Sequence, residues 1–288
     1  MGSVAVVTDT CHYLPRQLVA ARGIHEVSLY VHWGDPGRED REAALPDFDA
    51  YYQHLRTAKQ LPTTSQPSIG DFVAVYEPLL EQGHEVVSLH LSGAISGTFA
   101  SAEQAREQLL GRGGERVHVL DTQSACGGEG LVVLAAHAAA ARGANAAEVA
   151  AHAREARGAL QMWFAVDTLE YLRRGGRIGA AQAWLGSALK IKPILTLEAE
   201  ITPVERVRTS GRAFERMVEY LKARQADGAD AWVIQHIQAP EEAARLVERG
   251  RELFGTDPCF VSEIGPVIGT HVGPGLLGVG GIPSRFLA

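Results

Sequence analysis

Four stretches hold most of the side chains that could do chemistry. The first is Ser92-Gly93-Ala94-Ile95-Ser96-Gly97-Thr98, with three hydroxyls and two glycines in seven residues. An apolar run at 85–91 precedes it and reads as a strand buried on both faces, while 102–110 reads as a helix. Hydroxyls at such a junction have two readings. Serine is a preferred helix N-cap, and the free N–H groups of a helix start attract an anion. The second stretch, Thr63-Thr64-Ser65-Gln66 between Pro62 and Pro67, offers three hydroxyls and an amide. These can donate to an anion or satisfy their own loop. The third, 168–179, has helical apolar spacing and then Arg173-Arg174-Gly175-Gly176-Arg177. It reads as a helix end with arginines at the negative pole, or as a site that sets Arg177 near a phosphate of a ligand or partner. The fourth, 265–281, carries seven glycines and one ionisable group, His271. Each glycine costs backbone entropy, so this density suits a backbone passing close to a ligand or another backbone. His271 suits either a ligand contact or a structural hydrogen bond.

What is missing narrows the chemistry. There is no GxxxxGK[ST] loop, no HExxH and no GxSxG. No lysine accompanies residues 92–98, so a nucleoside triphosphate is a poor guest. Gly176-Arg177-Ile178-Gly179 is a fragment of a dinucleotide fingerprint without its preceding strand. No serine has an evident adjacent base. Cys11, Cys126 and Cys259 form no CxxC pair, which predicts neither a metal centre nor a disulfide framework and fits a reducing cytoplasm. These residue types favour binding a small anionic head, such as a carboxylate, over hydrolysis. No catalytic residue, metal or cofactor is expected.

The elements that position these residues follow from patterning. The 288 residues carry a net charge of −7, which argues against a nucleic-acid or anionic-membrane binder. The N-terminal run reads as a first strand rather than a signal peptide. The longest apolar run, around 131–141, is broken by His137 and too short to span a bilayer, so no integral membrane segment is expected. Strands at 3–7, 25–33, 85–91 and 116–120 alternate with helices at 15–21, 47–58, 69–82 and 102–110, which predicts an α/β fold with a parallel sheet. Ser68 with Asp71 resembles a capping box opening the helix at 69. The segment 61–68 is too polar and proline-rich for helix or strand. Asp9-Thr10, 63–65, 92–98 and Asp121-Thr122 would then crowd one rim, where ligands of open parallel sheets bind. Alanine-rich helices at 129–142 and 146–157 connect to a second half. Its closely spaced strands at 160–166, 193–197, 201–207, 231–236 and 259–264, with helices at 212–225 and 241–254, predict a mixed sheet. Two domains are expected, 1–158 and 159–288.

In order along the chain, several motifs resemble the DegV family of bacterial fatty-acid-binding proteins. They are Val7-Thr8-Asp9-Thr10, Thr64-Ser65-Gln66-Pro67-Ser68, Leu91 to Thr98, Asp121-Thr122, Glu170 to Gly179, Lys192-Pro193-Ile194-Leu195 and the Gly265 to Gly275 segment. The resemblance implies an α/β/α parallel-sheet N-terminal domain and a mixed-sheet α/β C-terminal domain with a long-chain, palmitate-like fatty acid between or beneath them. It implies that Thr64 and Ser96 hold the carboxylate and that His271 lies beside the head group. Ser65, Gly97 and Thr98 would support that site. It further implies a carrier that presents its fatty acid to a separate fatty-acid kinase, which makes acyl phosphate for phospholipid synthesis. The chain departs from the family where Thr10 and Thr122 replace serines and where the usual Ser-Ser is Ser92-Gly93, one hydroxyl fewer. A rival reading is an enzyme on a small carbonyl or phosphorylated substrate. It would resemble the substrate-binding part of dihydroxyacetone kinases, with His271 forming the covalent adduct.

Overall fold

The computed structural model describes residues 3–34, 38–58, 60–185 and 191–288. The first half runs β1 (Val4–Asp9), α1 (Arg16–Arg22), β2 (His25–Val27), β3 (Tyr30–His32), β4 (Glu39–Arg41), α2 (Asp49–Thr57), β5 (Thr63–Ser65), α3 (Ile69–Glu81), β6 (Glu85–His90), α4 (Thr98–Gln108), β7 (Val117–Asp121), α5 (Cys126–Ala141) and α6 (Ala146–Ala159). Four of these strands form an all-parallel sheet in the order β2-β1-β6-β7. Helices cover both of its faces, which is why Val7, Val86, Val87 and Leu89 are all fully buried.

Local signals placed these elements well where chemistry is short-range. The capping box is present: Ser68 N–H donates to Asp71 Oδ2 at 2.8 Å, and Asp71 N–H donates to Ser68 Oγ at 3.1 Å. Three boundaries differ from expectation. The helix expected at 102–110 begins at Thr98, with Gly97 as its N-cap and the Thr98 N–H donating to Ser96 Oγ at 3.3 Å. The strand expected over 25–33 is two strands in different sheets. The segment expected to be neither helix nor strand holds β5, which pairs antiparallel with β3 (Val31 opposite Thr64) in a small sheet ordered β4-β3-β5. Pro62 and Pro67 lie just outside the three paired residues, so neither removes a ladder donor.

The second half runs β8 (Gln161–Ala165), α7 (Glu170–Arg174), β9 (Lys192–Glu198), β10 (Glu200–Val207), α8 (Ser210–Ala226), β11 (Ala231–His236), α9 (Pro240–Phe254), β12 (Phe260–Glu263), α10 (Pro266–Val272) and β13 (Leu277–Ile282). Its sheet is mixed, in the order β10-β9-β8-β13-β11-β12, with only β11 and β12 parallel. The central strand β13 lies in the glycine-rich stretch and carried no strand signal of its own. Helices α8 and α9 pack on one face around Trp232, Ile234, Leu277 and Val279.

Helix α5 is buried nearly all round, as its uniformly apolar composition requires. It forms a layer shared by the two sheets: its core cluster joins Val87 and Leu89 of the first to Val233 and Phe260 of the second. The β9–β10 turn docks on the rim of the parallel sheet, with Ala199 N–H donating to Gln123 O at 3.0 Å and Ser92 Oγ donating to Ala199 O at 2.6 Å. Among the described residues, no helix is long and apolar enough to cross a membrane.

Candidate functional site

The carboxyl rim of the parallel sheet, β5, α7, α10 and the inner face of the six-stranded sheet enclose a cavity of about 270 Å³. Its walls are largely aliphatic and aromatic, with Leu91, Leu172, Phe164 and Ile264 among them. Part of the polar lining gathers around His271. Thr64 Oγ1 lies 2.8 Å from His271 Nε2, and the His271 ring abuts Gly175. Arg177 donates through Nη1 to Gly175 O at 2.7 Å and through Nε to Ile95 O at 3.2 Å, next to Ser96.

His271 is set by the way α10 is held. Tyr52 OH donates to Ile264 O at 2.6 Å and to Gly265 O at 3.0 Å just before the helix. Glu42 Oε1 accepts the Val267 N–H at 2.8 Å and the Tyr13 hydroxyl at 2.9 Å, so a buried carboxyl caps the first turn. Tyr51 OH and Thr270 Oγ1 are 2.5 Å apart. Burial, reinforced by the Arg177 cation, pushes the His271 imidazole down to about 4, so the ring is neutral at neutral pH. Its Nδ1 is buried without a partner among the described residues. Burial likewise pushes the Glu42 carboxyl up to about 7, against the hydrogen bonds from Val267, Thr10 and Tyr13 that favour its charged form.

Ser96 sits one residue before the N-cap of α4, which is Gly97 and makes no side-chain cap bond. Its Oγ lies 2.9 Å from Thr98 Oγ1 and accepts the Thr98 N–H at 3.3 Å, and the residue lines the cavity. Thr64, Ser65, Ser96, Arg177 and His271 all line the cavity. Ser65 Oγ is 3.1 Å from His32 Nε2. Gly97 and Thr98 stand behind that lining. The Thr98 side chain is fully buried against Ser96. A side chain at Gly97 would collide with the Gln66 amide, which donates to Ser101 Oγ at 3.1 Å. Ser92 is buried and committed to Ala199, so it joins the two halves rather than lining the site.

Two features were not anticipated from the sequence. The inner face of the second sheet supplies Phe164, Gln235, Leu276 and Gly278 to the cavity, which only strand pairing reveals. A serine does have an adjacent base: Ser88 Oγ is 2.7 Å from His90 Nε2, and His90 Nδ1 is 3.1 Å from Asp9 Oδ2. Ser88 and His90 are two apart on one strand face, a spacing visible in the sequence, whereas Asp9 comes from the neighbouring strand. All three are fully buried, and Tyr76 OH donates to Ser88 Oγ at 2.7 Å. Asp9 also accepts from Leu91 N–H at 3.0 Å and Cys11 N–H at 2.9 Å, so this chain ties the strand ends together beneath the rim. Among the described residues, no cluster of His, Cys, Asp and Glu could hold a metal ion.

Comparison with known proteins adds the context for this arrangement. Residues 3–284 match the family model described as "Uncharacterised protein, DegV family". Protein DegV of Bacillus subtilis is 37% identical over 283 residues, covering 96% of this chain and 98% of its own. A DegV domain-containing protein of Streptomyces coelicolor is 41% identical over 281 residues, covering 96% and 97%. Two solved structures are also similar. One, from Thermus thermophilus, is described as showing fatty acid binding of a DegV family protein, with a TM-score of 0.86, 36% identity and coverage of 98% and 99%. The other is DegV of Bacillus subtilis, described as a fatty acid binding protein, with a TM-score of 0.86, 34% identity and coverage of 97% and 99%. With that model matched across nearly its whole length and these relatives well above 30% identity, the chain belongs to the DegV family.

Proposed function

We propose that this protein binds one long-chain fatty acid, palmitate-like in length, with its carboxylate on Thr64 and Ser96 and its chain in the cavity beneath. The observation that carries this reading is a polar cluster around Thr64 and His271 opening on a largely apolar cavity. Neutral His271 donating Nε2–H to Thr64 Oγ1 frees the threonine proton for a carboxylate oxygen. Ser96 Oγ–H offers a second donor, and Ser65 and the start of α4 at Gly97 and Thr98 back them. A buried carboxylate needs such hydrogen bonding to stay charged. The chain supplies most of the affinity, at ~0.8 kcal/mol per buried CH₂, and the head contacts set direction. The two relatives described as binding fatty acids support the ligand class.

The role that fits is a cytoplasmic carrier, not an enzyme, presenting its ligand to a separate fatty-acid kinase for acyl-phosphate and phospholipid synthesis. Exposed Arg177, beside the head cluster, is the residue we assign to a partner or phosphate contact. We further propose that the two domains divide after residue 158, in the last turn of α6 and just before the second sheet begins at Gln161. A second reading is an enzyme on a small carbonyl or phosphorylated substrate, and the observation behind it is that His271 lines the cavity in its neutral form, the form in which an imidazole attacks a carbonyl. Organic extraction of purified protein followed by mass spectrometry separates the two. A stoichiometric fatty acid supports the carrier; an empty cavity with turnover of a small ketone supports the enzyme.

A further inference from the structure

Six of the seven glycines at 265–281 answer to protein neighbours. A Cβ would lie 2.7 Å from Glu42 Oε1 at Gly265, 2.6 Å from Asp167 Oδ2 at Gly275 and 2.6 Å from Ala231 O at Gly281. At Gly269, Gly273 and Gly280 it would collide with Tyr52, Tyr171 and Met162. Gly278 is different. It is buried inside β13, opposite Phe164 of β8 on one side and Gln235 of β11 on the other. Its φ is not in the left-handed region, and a Cβ would meet nothing closer than Leu276 Cδ2 at 3.6 Å. Alanine would fit there and would lower the entropy cost that glycine imposes on a strand interior. Neither backbone conformation nor packing therefore requires glycine. What remains is the cavity: Leu276 and Gly278 line it, whereas Gly280, two residues on, is covered by Met162.

We propose that Gly278 is a specificity-determining residue, the gap in the cavity floor through which the far end of the acyl chain runs. The residue at 278 thus sets the longest chain accepted. This rests on the fatty-acid reading above and deepens it. The neighbouring Gln235 amide is internally paired, accepting from Gly127 N–H and donating to Ser262 Oγ at 2.9 Å. Around Gly278 the floor is thus suited to a hydrocarbon tail rather than to a hydroxylated or dicarboxylic one.

The test uses delipidated full-length protein, wild type, Gly278→Ala and Gly278→Leu, with saturated acids from C10 to C18 measured by fluorescent displacement and Tm measured without ligand. The expected result for Gly278→Ala is a Tm raised by about 1–3 °C together with weaker binding of the longest acids only. Each displaced methylene should weaken affinity about fourfold. Gly278→Leu should lose about tenfold or more on C16 and C18 while keeping C10. A folded Gly278→Ala whose chain-length profile matches wild type overturns the inference, as does a loss equal at all lengths. Wild-type protein that binds none of the acids overturns the fatty-acid reading itself, an outcome distinct from bound acids with unchanged profiles.

Discussion

Acidification should destabilise this protein through His271, with a size that the structure supplies. In the folded chain the imidazole titrates at about 4, against 6.5 for the free side chain. At about 1.4 kcal/mol per pH unit, that difference amounts to roughly 3 kcal/mol. The sign follows from proton counting. Between pH 6.5 and 4 the unfolded chain binds a proton at this site that the folded chain does not, so stability falls as pH drops through that window. About 2 kcal/mol of the loss is complete by pH 5. The assay is denaturant unfolding from pH 4 to 7.5 for wild type and His271→Gln, read as the difference between the two curves. Differencing removes the other perturbed groups, including His25, His137, His236 and Glu42. The wild type should lose stability relative to His271→Gln below pH 6.5 and match its slope above pH 7. A carboxylate ligand beside the ring should favour the imidazolium, shift the window down in size and strengthen binding at low pH. A flat difference between pH 4 and 6.5 would refute the claim that burial and Arg177 hold this ring neutral.

Other substitutions separate head-group contacts from scaffold. Ser96→Ala should weaken fatty-acid affinity by about ten- to a hundredfold, the loss of one bond to a charged group, and by the same factor at every chain length. Displacement titration of a still-folded variant with unchanged affinity would count against the site. Ser92→Ala should do the reverse, lowering stability by about 1–3 kcal/mol as Ala199 O loses its buried donor, while calorimetric titration finds the acyl affinity within about twofold. Glu42→Gln should show the opposite pH trend to His271. The carboxyl rises from 4.5 to about 7 on folding, so wild type should lose roughly 3 kcal/mol relative to the variant as pH climbs from 4.5 to 7; parallel unfolding curves would refute it.

The sequence by itself determined whatever depends on near neighbours. The Ser68–Asp71 capping box is an i, i+3 pair, and the bond from Thr98 N–H to Ser96 Oγ is an i, i+2 pair. The alternation of apolar strands and helices set the α/β order of the first half, and the close strand spacing set the mixed sheet of the second. The ordered motifs carrying Thr64, Ser96 and His271 gave the family expectation, and the match over residues 3–284 agrees with it. Tertiary structure decided the rest, because register between strands is not written in either strand alone. Thr63–Ser65 became a strand only because Tyr30–His32 supplied a ladder. The glycines of β13 were legible as close approach, but not as a central strand between β8 and β11. Ser88 and His90 showed their spacing, yet Asp9 reaches them from 81 residues away. Gly278 became distinct from its six companions only when pairing set it between Phe164 and Gln235, over a space that no local pattern encodes.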